Sequence, residues 1–269
     1  MNLRKRFRLE PGTRVRLSRI DPDDTDGFKD KQAAEKALSK NISRLRKLQY
    51  LLYAENRRAL LIVLQAMDAG GKDGTIRHVM GGLNPQGCVV TSFKAPTEEE
   101  REHEFLWRIH KQVPARGDIG IFNRSHYEDV LVARVRKLVP RSVWETRYDQ
   151  INAFEKSLAG NDVVILKFML HISKEEQRRR LEERIENPRK RWKIAPSDFE
   201  DRKLWDEYQK AYEAALSRCN QAWAPWFVIP ANRKWFRNLA VSEIIVDTLQ
   251  SLDMKLPRPT VDVSTLRLD

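Results

Sequence analysis

Two observations predict a three-layer α/β/α fold around a five-stranded parallel sheet. Five short apolar runs recur along the chain, at 59–65, 88–93, 118–123, 163–170 and 226–229. Most are continuous rather than alternating, the pattern of parallel strands buried on both faces. Helical patterns separate them, and strand–helix–strand alternation needs crossover connections that lay helices on both faces of one sheet. With 269 residues the chain can bury a full core, so it reads as one domain with extensions.

Taken in order, a charge- and proline-rich extension over about 1–28 comes before the first helix, about 32–56. That helix sets Ala34, Leu38, Ile42, Leu45, Leu48 and Leu52 on one face. Thr97 and Glu100, behind Pro96, spell a capping box that opens a second helix. A third, about 141–158, carries Trp144, Tyr148, Ile151, Phe154 and Leu158 at core spacing and stops at Gly160. Ser173, boxed by Glu176, starts the next, which continues in the basic run EEQRRRLEER. Residues 187–201, NPRKRWKIAPSDFED, break the rhythm: they are cationic, proline-punctuated and lie between two long helices, where a mobile lid would sit. The stretch 256–269 reads as a further extension over the core.

Fifty Lys and Arg against 38 Asp and Glu leave a formal charge of +12, which selects an anionic partner. Nucleic acid, polyphosphate and acidic lipid share that sign. No apolar stretch approaches the roughly 20 residues that span a bilayer, and the basic N-terminus lacks the apolar core of a secretory signal. Cys88 and Cys219 are too few for a disulfide or zinc framework and read as reduced thiols of a cytoplasmic protein.

The run at 59–65 leads directly into AMDAGGKDGT, residues 66–75, and then a helix begins. Strand, glycine loop, lysine and helix together hold phosphate. Glycines let backbone N–H groups converge, the helix N-terminus adds positive charge, and the lysine reaches phosphate oxygens. Against the GxxxxGK[ST] pattern, Ala66 stands where the first glycine belongs and Asp73 where a hydroxyl would bind magnesium. Asp68 adds a second carboxylate. Two carboxylates facing a phosphate repel it unless a divalent cation lies between them, so the loop predicts Mg²⁺. The third run ends in IFNRSHYEDVLVAR. Asn123 and Arg124 then sit at a strand tip, where open α/β sheets bind ligands, with Glu128 and Asp129 on the following turn. His126 reads as a capping or packing residue.

The AMDAGGKDGTI loop, FNRSHYEDVL, the HISKEEQ helix and the RWK segment together resemble family-2 polyphosphate kinases over roughly residues 14–257. The resemblance implies a P-loop kinase-like core similar to thymidylate kinase, with a helical lid over about 184–201. It also implies transfer of a terminal phosphoryl group between inorganic polyphosphate and a nucleotide with Mg²⁺, or Mn²⁺ in its place. Carried over, Asp68, Lys72 and Asp73 take catalytic roles together with Arg124 and Glu128. Ala69, Gly70, Gly71, Lys72, Gly74 and Thr75 hold phosphate, and Arg184, Arg189, Lys190, Arg191 and Lys193 of the lid hold the polyanion. Asn123, Arg124, Glu128, Asp129 and Asn232 border the nucleotide. Many ADP-using members read like DRSWYNR where this chain has NRSHYED, a version that resembles subgroups accepting AMP or both AMP and ADP. With asparagine at position 123, Asp68 and Asp73 are left as the metal ligands. Adenine nucleotides, with guanine as an alternative base, and a homodimer or homotetramer are implied; nucleic acid and membrane are not.

Two rivals stand beside this reading. An ATP-dependent nucleoside monophosphate kinase shares sheet, loop and lid but keeps the GxxxxGK[ST] pattern that this chain breaks twice. A basic nucleic-acid-binding module would explain +12, yet it would need neither Asp68 nor Asp73 and would carry a recognisable binding motif.

Overall fold

A computed structural model describes residues 2–28, 30–262 and 266–267. Its elements, in chain order, are α1 (Leu3–Phe7), α2 (Lys31–Glu55), β1 (Ala59–Gln65), α3 (Lys72–Thr75), β2 (Cys88–Ser92), α4 (Glu98–Glu102), α5 (Trp107–His110) and β3 (Ile119–Asn123). The second half comprises α6 (Val132–Val135), α7 (Arg141–Gly160), β4 (Val163–His171), α8 (Lys174–Glu186), α9 (Pro196–Lys203), α10 (Trp205–Arg218), β5 (Trp226–Pro230) and α11 (Lys234–Gln250).

The five strands are those the apolar runs predict, each within one residue at either end. They pair in the order β2-β3-β1-β4-β5, all parallel. All seven residues of β1 are buried, which suits the central strand. Each such aliphatic side chain contributes roughly 1.5–3 kcal/mol on leaving water. Helices flank the sheet: α2 and α11 pack on each other, and α7 packs on β4. From β1 the chain first builds β2 and β3 on one side, then crosses to β4 and β5 on the other. The C-terminal end of β1 is therefore the switch point at which open α/β sheets form a crevice.

Local departures have local causes. The Thr97 capping box is present, but α4 ends at Glu102 because Glu98–Glu102 has no buried residue to hold it. The helix at 141 runs through Gly160, and the left-handed residue that turns the chain is Asp162, with φ 66°. Only half of the Ser173 box forms. Ser173 Oγ accepts from the Glu176 N–H at 3.0 Å, but the Glu176 carboxylate turns to Arg179 and Arg180. Asn232 Oδ1 takes the Ser173 N–H instead, at 3.0 Å. The lid is not an irregular loop throughout: α8 runs to Glu186, a short turn covers Arg191–Lys193, and α9 begins at Pro196.

The N-terminal extension lies across β5, α10 and α11. Leu3, Phe7, Val15 and Leu17 are buried, the Leu9 N–H donates to Trp226 O, and Pro22 O accepts from Asn232 N. Met1 of this stretch, and 263–265 and 268–269 of the C-terminal stretch, lie outside the described residues. Among the described residues no helix is long and apolar enough to cross a membrane.

Candidate active site

The loop after β1 folds as phosphate-binding loops do. Ala69 and Gly71 adopt left-handed backbone, with φ 60° and 105°, and the Gly70 N–H closes on Met67 O at 2.9 Å. A Cβ on Gly70 would come 2.5 Å from that of Ala66 and 2.8 Å from Met67 O, and the φ of Gly71 is one that side chains rarely adopt, so both glycines are required. Lys72 is buried and its Nζ donates to Ala66 O at 3.0 Å. Burial pulls its ammonium below the usual range and Arg124 adds to that, while Asp68, Glu128 and Asp73 oppose it. Arg124, Asp68, Glu128 and Asp73 are thus the charged groups that act on Lys72. Thr75 Oγ1 donates back to Gly71 O at 3.1 Å, and α3 continues as a π-helical turn over Ile76–Met80.

The tip of β3 abuts this loop because Leu64 and Asn123 are register partners. Asn123 Nδ2 donates to Asp73 Oδ1 at 2.9 Å, so the asparagine serves as a donor to the loop carboxylate. Arg124 holds a left-handed backbone, φ 62°, and its Nη2 pairs with Asp68 Oδ1 at 3.0 Å. A non-glycine residue in that conformation stores strain of the sort that collects at functional sites. Burial raises the Glu128 carboxyl, and Arg124, Lys72 and a hydrogen bond from Gln65 hold it down in part.

Asp129 faces elsewhere, pairing with Arg147 at 3.2 Å and Arg108 at 4.0 Å. Burial pushes its carboxyl up to about 6 despite both arginines. His126 packs, as its type suggests. It is fully buried, its Nε2 lies 3.2 Å from Glu155 Oε1, and desolvation lowers its pKa. Glu155 in turn bonds Lys167 Nζ at 2.5 Å and Tyr127 Oη at 2.9 Å, a closed buried network under the 123–129 turn. Asn232 bonds Asp23, Ser173 and Pro22, tying the N-terminal extension to the β5 loop.

The floor of the loop was not visible in the sequence. The basic helix α8 gives Gln177 Nε2 to Asp68 O at 3.1 Å and Arg180 to four carbonyls. Arg180 donates to Ala69 O (3.0 Å), Gly70 O (3.1 Å), Ala231 O (2.5 Å) and Asn232 O (3.0 Å), and pairs with Glu176 at 2.6 Å. Arg180 thus ties the carbonyls of Ala69 and Gly70 to the floor of the loop. Spacing alone shows a basic face; only the fold reveals that half of it lies under the loop.

The roof comes from α9 and α10. Asp201, Tyr208 and Tyr212, with Leu131 and Val132, enclose a cavity of about 40 Å³ against Ala66, Met67, Asp68, Arg124 and Glu128. A larger hollow of about 640 Å³ beside Trp144 and Leu138 has none of these phosphate-loop groups. Of the lid cations, Arg184 reaches Asp198 at 3.7 Å and Lys190 pairs with Glu183. Arg191 bonds Ile185 O at 2.8 Å, and Lys193 lies over the exposed Trp192 ring. Arg189 enters no ion pair among the described residues; its backbone bonds Asn187 and Trp192.

No group of three or more His, Cys, Asp and Glu side chains converges as a protein-only metal cage among the described residues. Among the described residues, Asp68 and Asp73 each commit only Oδ1 to a hydrogen-bond partner. A second oxygen on each fits the habit of Mg²⁺, which takes one or two carboxylates and completes its shell with substrate phosphates.

A glycine-lysine loop at the switch point, an arginine at the neighbouring strand tip and a cationic lid above them define a P-loop phosphotransferase. Residues 28–257 match the family Polyphosphate kinase 2 (PPK2), and the chain belongs to that family. It is 57% identical over 256 residues to the AMP/ADP-polyphosphate phosphotransferase of Meiothermus ruber, covering 95% of this chain and 96% of the relative. To the ADP-polyphosphate phosphotransferase of Rhodopseudomonas palustris it is 45% identical, over 95% and 93% of the two chains. The crystal structure of polyphosphate kinase 2 from Arthrobacter aurescens superposes with a TM-score of 0.94 at 42% identity, covering 98% of this chain and 94% of that one.

Proposed function

We propose that the protein transfers the terminal phosphoryl group of inorganic polyphosphate to AMP and ADP, reversibly and without a covalent enzyme intermediate. The carrying observation is that Asp68, Arg124 and Glu128 line one cavity at the phosphate loop, with Arg124 paired to Asp68 and Asp73 bonded to Asn123 of the neighbouring strand tip. Family membership and the names of the relatives support the same substrates.

In this reading the end of the polyphosphate chain lies in the 66–75 loop, its oxygens taken by the backbone N–H groups and by Lys72. A phosphate oxygen of AMP or ADP attacks the terminal phosphorus in line. The bridging P–O bond breaks, and the shortened chain keeps the electron pair. The acceptor is already an anion at neutral pH, so no base is needed; positioning and charge cancellation carry the rate. Asp68 and Asp73 would hold a divalent cation, Mg²⁺ or Mn²⁺, which supplies neutralisation of the facing phosphates. Arg124, steadied by Asp68, meets the charge that develops on the transferring group. Glu128 sits where it can steer the acceptor phosphate, and the lid cations Arg189, Arg191 and Lys193 receive the remaining chain.

The test is to incubate purified protein with AMP or ADP, Mg²⁺ and long-chain polyphosphate and to resolve the nucleotides by chromatography. ADP and ATP should appear. If phosphorylation occurs only when ATP replaces polyphosphate, the protein is an ATP-dependent nucleoside monophosphate kinase. No turnover with either donor, but retention on nucleic acid, would favour the binding-module rival.

A further inference from the structure

Three arginines are buried among the described residues: Arg108, Arg180 and Arg237. Arg108 pairs with Glu100 and Asp129, and Arg180 with Glu176. Arg237, on α11 and 2% exposed, has no carboxylate partner among the described residues. Its Nε and Nη2 donate to Oδ1 of its neighbour Asn238, at 3.2 and 2.8 Å. The charge that acts on it is Arg180, of like sign, and the guanidinium is held down to about 9 by burial and by that arginine.

A buried cation without an anion costs several kcal/mol, and it is normally paired or replaced. Its place in the fold accounts for it. The guanidinium fills the space where a side chain on Gly71 would stand, 1.9 Å from the ideal Cβ, and its Nη2 lies 3.1 Å from that of Gly74. It is therefore pressed against the two glycines that bracket Lys72 and Asp73, on the wall of the phosphate loop.

We infer that Arg237 is a positioning residue whose missing counter-charge is the donor phosphate: an unpaired buried guanidinium that stabilises the 66–75 loop only when an anion lies in it. This rests on the polyphosphate reading of the loop. Arg237 spends stability in the free protein and returns it on binding, which makes the loop selective for highly charged donors.

Three quantities are to be measured on wild type, Arg237→Met and Arg237→Lys. They are Tm alone, Tm with long-chain polyphosphate or with ATP, and KM for each substrate. Because Met removes an unpaired buried charge and keeps the volume, the free variant should melt no lower than wild type. Its polyphosphate-induced rise in Tm should shrink, and its KM for polyphosphate should increase roughly tenfold, while KM for AMP stays within about twofold. Arg237→Lys, which keeps the charge, should recover most of the polyphosphate-induced rise. A Met variant that unfolds, or that melts well below wild type, would overturn the inference, since Arg237 would then be an ordinary packing residue. So would a polyphosphate-induced rise equal to that of wild type. Wild type that responds to ATP and not to polyphosphate would remove the donor reading instead, and the ATP-induced rise would then judge Arg237 by the same comparison.

Discussion

Arg180, under the phosphate loop, donates to four backbone carbonyls and pairs with Glu176, whereas Arg189, in the lid above, enters no ion pair among the described residues. The same side chain does opposite work in the two regions. Buried charge-assisted bonds contribute about 1.5–3 kcal/mol each and fix geometry. Exposed lid cations contribute almost nothing to the fold, where a surface pair is worth about 0–1 kcal/mol. Those cations stay available for a long polyanion. The floor fixes the geometry of the loop; the lid cations are the ones the proposed function assigns to the polyphosphate chain.

Breaking the floor and the loop should have the largest effect. Lys72→Ala and Asp73→Ala should each lower kcat at least about 10²-fold with little change in Tm, the scale for one lost electrostatic stabiliser. Near-normal turnover by folded Asp73→Ala protein would exclude it from the metal shell. Arg180→Ala should fall in the same range but also lower Tm, because it strands the Ala69, Gly70, Ala231 and Asn232 carbonyls. Steady-state kinetics beside calorimetry separates the two. Next comes Glu128→Ala, expected to impair AMP more than ADP in kcat/KM; equal losses would count against its steering role.

A smaller effect is expected in the lid. Replacing Arg189 and Lys193 together by Ala should raise KM for polyphosphate several-fold and flatten its dependence on salt, leaving kcat near wild type. A kcat loss matching that of Lys72→Ala would erase the division between floor and lid. Smallest is the effect at Asp129, outside both regions. Its folded-state carboxyl, at about 6, lies above the ordinary 3.8, so the folded protein binds the extra proton between those values. That group's contribution is full below pH ~4 and is lost as pH rises through about 6. The Tm of Asp129→Asn relative to wild type should therefore rise from pH 4 to pH 6, by the equivalent of at most about 3 kcal/mol. A flat difference would mean that Arg108 and Arg147 keep Asp129 ionised throughout.

What was legible in the sequence followed how local its cause is. The strands were legible because ALLIVLQ and VVILKFMLH are apolar without interruption. The phosphate loop was legible because glycines, lysine and helix start are consecutive. Arg124 and Glu128 followed from their place after a strand end. Arg180 and Arg237 were not legible, since each acts across more than a hundred residues on a loop that its own helix does not announce. Tyr208 and Tyr212 carry no local signal of their role; only the fold brings α10 over Asp68 and Glu128. Asp129 sits beside Glu128 in sequence, yet a one-residue step on the short helical turn His126–Asp129 sends it to Arg147 and Arg108. Asn232 was placed near the nucleotide by its loop position alone; its long-range bonds to Asp23 and Ser173, which tie the extension to that loop, carry no local signal.

That extension carries a consequence for the order in which the protein is made. Leu3 and Phe7 are buried, and Phe7 packs edge-on against Phe236, with ring centroids 5.8 Å apart. Val15 and Leu17 bond Ser217 and Glu213, some two hundred residues later. At about 5–20 residues per second, these apolar side chains wait on the order of 10–40 seconds for partners some two hundred residues later to be made. During that interval the nascent chain presents unsatisfied hydrophobic surface. Final closure is then a late, long-range event that sets both the pace of folding and its window for aggregation.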